Sequence, residues 1–166
     1  MQIYKRFSKT FALTVAALAM AAALAIGAFA AEQTRETYVA QVEPICKKNT
    51  KANEQILAGV RKTIKQGKLS VAAGKFNRAA AAFGKAVAEI KAVPQPPADA
   101  AKLTKWLGFL KEEQNFLSKI GKALQKGNKS EAQTLSVKLT HNGNLANNAV
   151  LGFEFNYCLI DSSRFS

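Results

Sequence analysis

The chain has few of the residues from which catalytic and metal sites are built. After the first thirty residues it contains one histidine, His141, one tryptophan, Trp106, and no methionine. Haem-binding exported bundles use a Met–His pair or a C-x-x-C-H attachment, and both are missing. No Gly-flanked serine elbow accompanies His141, and Glu112 and Glu113 would point about 100° apart on a helix. We therefore expect no cofactor, no metal and no enzymatic activity.

Acidic residues are absent from the first thirty positions. The basic residues Lys5, Arg6 and Lys9 lie near their start. An apolar run follows and closes on Ala28-Phe29-Ala30, the small-x-small pattern that signal peptidase accepts. An uncleaved membrane anchor is the alternative, because the run approaches the ~20 residues that span a bilayer. We predict a signal peptide over 1–30 and a secreted domain over 31–166, with no transmembrane helix after cleavage.

Cysteine is scarce, and the only two are Cys46 and Cys158. An even, small number of cysteines in an exported chain indicates a disulfide, because the compartment is oxidising. Two free buried thiols or a metal pair are the alternatives, although a metal site needs more ligands than this chain has nearby. A bridge here closes a loop of roughly 110 residues, for which chain-entropy models give about 4–5 kcal/mol of stabilisation.

The predicted domain has no strand pattern except at its very end. Four amphipathic stretches separated by turn signals predict an all-α, antiparallel up-down-up-down four-helix bundle. The first is capped near Thr34 and passes Pro44. Because proline disrupts a helix, the residues before Pro44 form either a separate turn or the first part of a kinked helix. It ends around Gln66-Gly67-Lys68, and Ser70 is the expected cap of the second.

The second stretch ends at Pro94, and the third, from about 98 to 126, is the most apolar. Ser130 and Gln133 make a capping-box signature for the fourth. After Gly152 the apolar residues alternate with a period of two, so residues 153–160 are either an extended tail or further helical turns. In an up-down bundle Cys46 and Cys158 fall at the same pole, which agrees with the predicted bridge.

Three segments resemble uncharacterised secreted proteins of high-GC Gram-positive (actinobacterial) bacteria. They are YVAQVEPIC at 38–46, AVPQPP at 92–97, and LTHN…NNAVLGF…YC within 139–158. This resemblance covers most of the predicted mature chain. It implies an extracytoplasmic, disulfide-linked helical protein and implies no activity.

An amide-rich stripe is the first candidate site. On a continuous fourth helix one stripe carries a histidine and two asparagines, and two more asparagines share the Cys46 stripe of the first helix. Facing each other, they would form a polar layer that holds the hydrogen-bonding groups of a small ligand. The alternative is that these amides cap, turn or bond between helices, and that Asn142-Gly143 interrupts the helix. The predicted layer comprises Asn49, Asn53, His141, Asn144 and Asn148.

A basic surface is the second candidate site. Three of the 24 Lys and Arg lie in the predicted signal peptide, and the remaining 21 against 11 Asp and Glu give a net charge of +10. A clustered basic helix face attracts anionic envelope polymers or lipid head groups through its summed potential. The excess of Lys over Arg and the lack of interleaved aromatics argue against specific nucleic-acid binding. The predicted face comprises Lys47, Lys51, Arg61, Lys65 and Lys68.

From the sequence we expect a secreted or envelope-associated, non-enzymatic binding or structural module with a basic face. A small-ligand carrier or weak enzyme using the His/Asn layer is the alternative. A tightly packed interior beneath a clustered basic face favours the first. A closed pocket of about 300 Å³ or more, lined by the amides, favours the second.

Overall fold

A computed structural model describes residues 33–161 of the chain, and these residues form helices and turns without any strand. This confirms the all-α class. The predicted signal peptide, 1–30, lies outside the described residues. Within them, no helix combines the length and the apolar character needed to cross a membrane. Four helices are long and one is short: α1 (Arg35–Leu57), α2 (Val60–Lys65), α3 (Leu69–Ala92), α4 (Ala100–Gln125) and α5 (Lys129–Ala149), with a 3-10 turn at Pro97–Asp99 before α4.

Helix α1 begins at the predicted cap and runs unbroken through its proline. The Thr37 backbone N–H donates to the Thr34 hydroxyl, and the Thr34 N–H donates to the Thr37 hydroxyl. This reciprocal pair satisfies two of the orphan donors at the helix start. Tyr38 and Val42 are fully buried, so packing holds these first turns in helical form ahead of Pro44. The separate turn considered from the sequence is not formed.

A break that the sequence reading missed separates α1 from α2. Gly59 adopts a left-handed conformation with φ of +67°, which glycine reaches without steric cost. The basic residues before and after Gly59 therefore do not lie on one continuous helix, as the predicted basic face assumed. The predicted stop at Gln66-Gly67-Lys68 is confirmed, since α2 ends at Lys65.

Two predicted caps are wrong in position. Helix α3 starts at Leu69, and Lys68 at its N-cap makes no side-chain capping bond, so Ser70 lies inside the helix. Helix α5 is capped by Asn128, whose Oδ1 accepts from the Glu131 N–H at 3.0 Å and whose Nδ2 donates to the Glu131 carboxylate at 3.0 Å. The cap is therefore Asn128 with Glu131, two residues before the predicted pair of Ser130 and Gln133.

The helices pack in chain order, but the bundle does not close on itself. Helix α1 packs on α3, α3 on α4 and α4 on α5, whereas α1 and α5 make no comparable contact among the described residues. The segment after Ala149 is non-helical and passes along this gap. Phe153 and Phe155 in it are both buried, and Phe155 stacks on Trp106 with ring centroids 5.3 Å apart.

The tail is held against α1 by a covalent bond and by a carboxylate. Cys46 and Cys158 form the predicted disulfide, with their Cα atoms 5.0 Å apart. One turn earlier on α1, Glu43 Oε1 accepts from the N–H groups of three successive tail residues, 156–158, at 3.0–3.2 Å. Charge-assisted bonds of this kind are stronger than neutral ones, so the tail is fixed even apart from the disulfide.

A second attachment joins the tail to α5. The Asn147 side chain donates to the Ile160 carbonyl at 2.9 Å and accepts from the Ile160 N–H at 2.8 Å. The Ile160 side chain packs over Gly143, where an added Cβ would approach it to 2.9 Å. Helix α5 continues through Gly143, contrary to the interruption considered from the sequence. The tail therefore bridges the two helices that leave the gap.

The core is divided into two clusters at opposite ends of the bundle. One contains Tyr38, Trp106 and Phe155, and the other contains Leu57, Ile120 and Leu124. Between the residues of the two clusters along α1, α4 and α5 lie three of the buried polar side chains. We call this level the waist, defined by Asn53 on α1, Glu113 on α4 and Asn142 on α5.

Candidate functional site

A cavity of about 280 Å³ lies at the waist and extends along the bundle. Its lining on α4 runs from Trp106 to Leu117, a length of about 16 Å at 1.5 Å per residue. Helices α3 and α4 form its floor, and the tail from Tyr157 onward borders it on the side where α1 and α5 lack contact. We call it the waist cavity.

The walls of the waist cavity are mostly apolar. A cavity of this size is larger than an ordinary packing defect, because protein interiors contain few voids larger than a water molecule. The larger apolar side chains in its walls are Leu57, Val60, Ile64, Phe76, Phe83, Val87, Ile90, Leu110, Leu117 and Leu139.

A buried carboxyl group stands in this apolar floor. Glu113 is only 5% exposed and lines the cavity. Its Oε2 accepts a hydrogen bond from Asn142 Nδ2 at 2.9 Å, and the same amide donates to the Phe109 carbonyl, which fixes the Asn142 side chain. Burial raises the pKa of Glu113 to about 7, and the bond from Asn142 opposes this rise. Near neutral pH the group is therefore divided between its acid and carboxylate forms.

Two further buried polar atoms on cavity-lining residues have no protein partner. Asn53 is 3% exposed, and its Nδ2 donates to Asn49 Oδ1 at 3.0 Å while its own Oδ1 is unpaired. The indole N–H of Trp106, a fully buried residue, is likewise unpaired. Leaving a buried polar atom unsatisfied costs about 1–3 kcal/mol. A ligand that reaches these two atoms recovers that cost.

The hydroxyl groups that line the cavity already donate to backbone carbonyls. Thr50 donates to the Tyr157 carbonyl at 3.3 Å, Ser136 to the Ala132 carbonyl at 2.9 Å, and Thr140 to the Ser136 carbonyl at 3.2 Å. A hydroxyl whose hydrogen is engaged retains only lone pairs for a further partner. These hydroxyls are therefore acceptors toward a ligand.

The structure brings three members of the predicted polar layer to the cavity and leaves two outside it. Asn49, Asn53 and Asn144 line the waist cavity. His141 is exposed and lies in a separate outer groove between α4 and α5, and Asn148 is exposed. The reason is the helical phase of α5: its buried residues are 132, 142, 143 and 146, and position 141 is rotated about 100° from 142. Asn144 borders the cavity although it is exposed.

The sequence reading missed the buried members of the site. Glu113 occupies a seam position of α4, because Trp106, Leu110, Glu113 and Leu117 follow one another at steps of four, three and four. A carboxylate at a position that the pattern reserves for apolar residues was the available signal.

All five residues of the predicted basic face are exposed, but they are divided by the break at Gly59. Lys47 places its ammonium 5.0 Å from the centre of the Tyr157 ring in the tail. Arg61 on α2 lines the waist cavity. Two of the five therefore lie at the margin of the cavity.

Comparisons of the chain with protein-family models, with curated proteins and with solved structures give no match. Within residues 33–161, no group of three or more His, Cys, Asp or Glu is placed to hold a metal ion. The function is therefore argued from the geometry of the site.

Proposed function

We propose that this protein is an extracytoplasmic binding protein that holds a small, largely apolar ligand in the waist cavity without transforming it. The observation that carries the proposal is a cavity of about 280 Å³ that interrupts the core at the level of its buried polar groups. This volume lies just below the roughly 300 Å³ at which ligand pockets begin, and like them the cavity combines apolar walls with a few placed polar groups. Glu113, Asn53 and Trp106 are those groups here.

The proposed place of action is outside the cytoplasmic membrane, after removal of residues 1–30 as a signal peptide. The buried Cys46–Cys158 disulfide supports an oxidising compartment. For the helix directions we propose the up-down-up-down arrangement, because the connections between the long helices are short and successive helices pack together. The tail then closes the bundle where α1 and α5 do not.

The proposal is tested by binding of a neutral apolar fluorophore, N-phenyl-1-naphthylamine, to the mature domain. We expect saturable binding with enhanced fluorescence. Ala86 on α3 lines the cavity, so Ala86→Leu should fill part of it and weaken binding at least tenfold. Ala88 on the same helix is exposed, and Ala88→Leu is the matched control that should bind like the wild type. Absence of saturable binding, or equal binding by both variants, contradicts the proposal.

A second candidate function is attachment to anionic envelope polymers or lipid head groups through the exposed basic residues. It is favoured by the exposure of all five predicted residues. Such binding releases counterions and therefore weakens steeply as salt rises. The two functions are compatible, because a surface-bound domain still has its waist cavity.

Vesicles containing anionic lipid test this second candidate by co-sedimentation at low and at physiological ionic strength. We expect binding at low salt that is mostly lost near physiological salt, where the Debye length is ~8 Å. A triple charge reversal to Glu within the basic face should abolish binding, whereas an equal reversal on α4 should not. Equal weakening by both, or no binding at low salt, refutes a specific basic face. The first set is Lys51, Lys65 and Lys68, and the second is Lys102, Lys111 and Lys119, all exposed.

A further inference from the structure

The carboxyl group in the cavity floor has no cationic partner within the described part of the chain. The ion pair found within the described residues joins Arg35 to Asp99, near the start of α1. Glu113 instead contacts the neutral amide of Asn142. Buried carboxylates are normally paired with a cation, because desolvation strongly disfavours an isolated charge. Glu113 thus provides a negative site that a ligand can complement.

The other charged or titratable groups that line the cavity do not fill this role. Arg61 on α2 is exposed and makes no ion pair with Glu113 within 4.0 Å. Tyr157 and Asp161, from the tail, add a phenol and a further acid. No lysine within residues 33–161 belongs to the lining. The described part of the chain therefore leaves the charge of Glu113 to be balanced by a ligand.

The other hydrogen-bonding atoms on residues that line the cavity are also suited to a donating ligand. Asn53 Oδ1 is a buried acceptor without a partner. The hydroxyls of Thr50, Ser136 and Thr140 already donate to backbone carbonyls and offer lone pairs. Trp106 supplies the one unpaired buried donor among the described residues that line the cavity.

We propose that the ligand is a hydrophobic amine, bound with its ammonium group on the Glu113 carboxylate and its apolar part along the walls of the waist cavity. The inference rests on the proposed function, since it names the ligand class of that same cavity. A carboxylate ligand would bring a second negative charge into the floor. A neutral alcohol of equal length would lack the ionic attraction and two of the three donors of an ammonium group.

Three probes that differ only in their head group test this class: n-octylamine, n-octanol and octanoate, measured by titration calorimetry at pH 8. The amine is charged at this pH, as a lysine side chain is. We expect octylamine to bind at least tenfold more tightly than octanol, and octanoate to bind most weakly. Charge-assisted bonds are about twice as strong as neutral ones, which is the basis of this ratio.

Glu113→Gln keeps the acceptor for Asn142 but removes the charge, so octylamine and octanol should then bind within about threefold of each other. Glu112→Gln, at the exposed neighbouring position, should retain the full preference. In the wild type, lowering the pH from 8 to 5 should reduce the preference for octylamine over octanol to the level of Glu113→Gln, because Glu113 is then protonated. The pKa of Glu113 is about 7, and each pH unit below it reduces the ionised fraction about tenfold.

Octanol or octanoate binding as tightly as octylamine in the wild type overturns the amine class, while the proposed apolar binding function stands. An amine preference that survives in Glu113→Gln, or that does not change between pH 8 and pH 5, overturns the role of Glu113. Failure of all three probes and of N-phenyl-1-naphthylamine to bind overturns the proposed function itself.

Discussion

Replacing Glu113 by glutamine isolates the free-energy cost of placing a carboxyl group in the waist. The glutamine oxygen can accept the same bond from Asn142, and the side chain has nearly the same shape. What changes is the ability to ionise. In the folded protein burial raises the pKa of Glu113 from 4.5 to about 7, whereas in the unfolded chain it stays near its ordinary value.

The direction in which stability changes with pH follows from the number of protons that each state binds. Below pH 4.5 the carboxyl is protonated in both states and its ionisation does not affect stability. Between pH 4.5 and 7 the unfolded chain releases the proton while the folded protein retains it, so stability falls as pH rises. Above pH 7 both states are ionised and the loss is constant. At 1.36 kcal/mol per pKa unit the loss reaches about 3 kcal/mol.

The free energy of unfolding can be measured by urea denaturation from pH 4 to pH 9. The proteins compared are the wild type, Glu113→Gln and the exposed control Glu112→Gln. We expect the stability of Glu113→Gln relative to wild type to rise by about 3 kcal/mol between pH 4.5 and 7 and then level off. Glu112→Gln should follow the wild type at every pH. A constant difference between Glu113→Gln and wild type across the range would refute the burial argument.

Three further predictions concern the disulfide, the cavity and export. Cys46→Ser, Cys158→Ser and the double variant should lose equal stability, up to about 4–5 kcal/mol in chain-entropy models, as measured by urea denaturation; two reactive thiols in the native protein would contradict this. Ala86→Leu should raise the melting temperature through roughly 1–2 kcal/mol of added apolar burial, whereas Ala88→Leu should leave it within a degree or two. Mass spectrometry of the exported protein should find a chain that begins at or within two residues of Ala31. A chain that begins at Met1 would contradict the signal-peptide prediction.

The helical framework could be predicted because its signals are local. The Thr34 cap, the turn before α3 and the periodicity of α4 each depend on residues within a few positions of one another. The bridge between Cys46 and Cys158 could also be predicted, because compartment and cysteine number together leave few alternatives. The break at Gly59 was missed because an isolated glycine in a helical pattern is often tolerated.

The candidate site was predicted only in part, because it is a property of packing. Whether Asn144 faces a cavity depends on α1 and α5 standing apart, and no pattern within a single helix encodes that separation. The rotational phase of α5 likewise buries Asn142 and leaves both His141 and Asn144 exposed. The burial of Glu113 follows from the seam of α4, which the sequence does display.

The position of the disulfide also determines how the molecule would carry a mechanical load. Cys46 lies near the middle of α1 and Cys158 near the end of the chain, so all the residues between them form one covalent ring. A force that pulls on the two chain ends passes through the first half of α1, the sulfur atoms and the last residues. Helices α2 to α5 lie in the ring and bear none of that tension, whereas residues 159–161, which border the cavity, lie outside it. A protein anchored at one end and pulled at the other would therefore keep helices α2 to α5 in place while α1 begins to unravel.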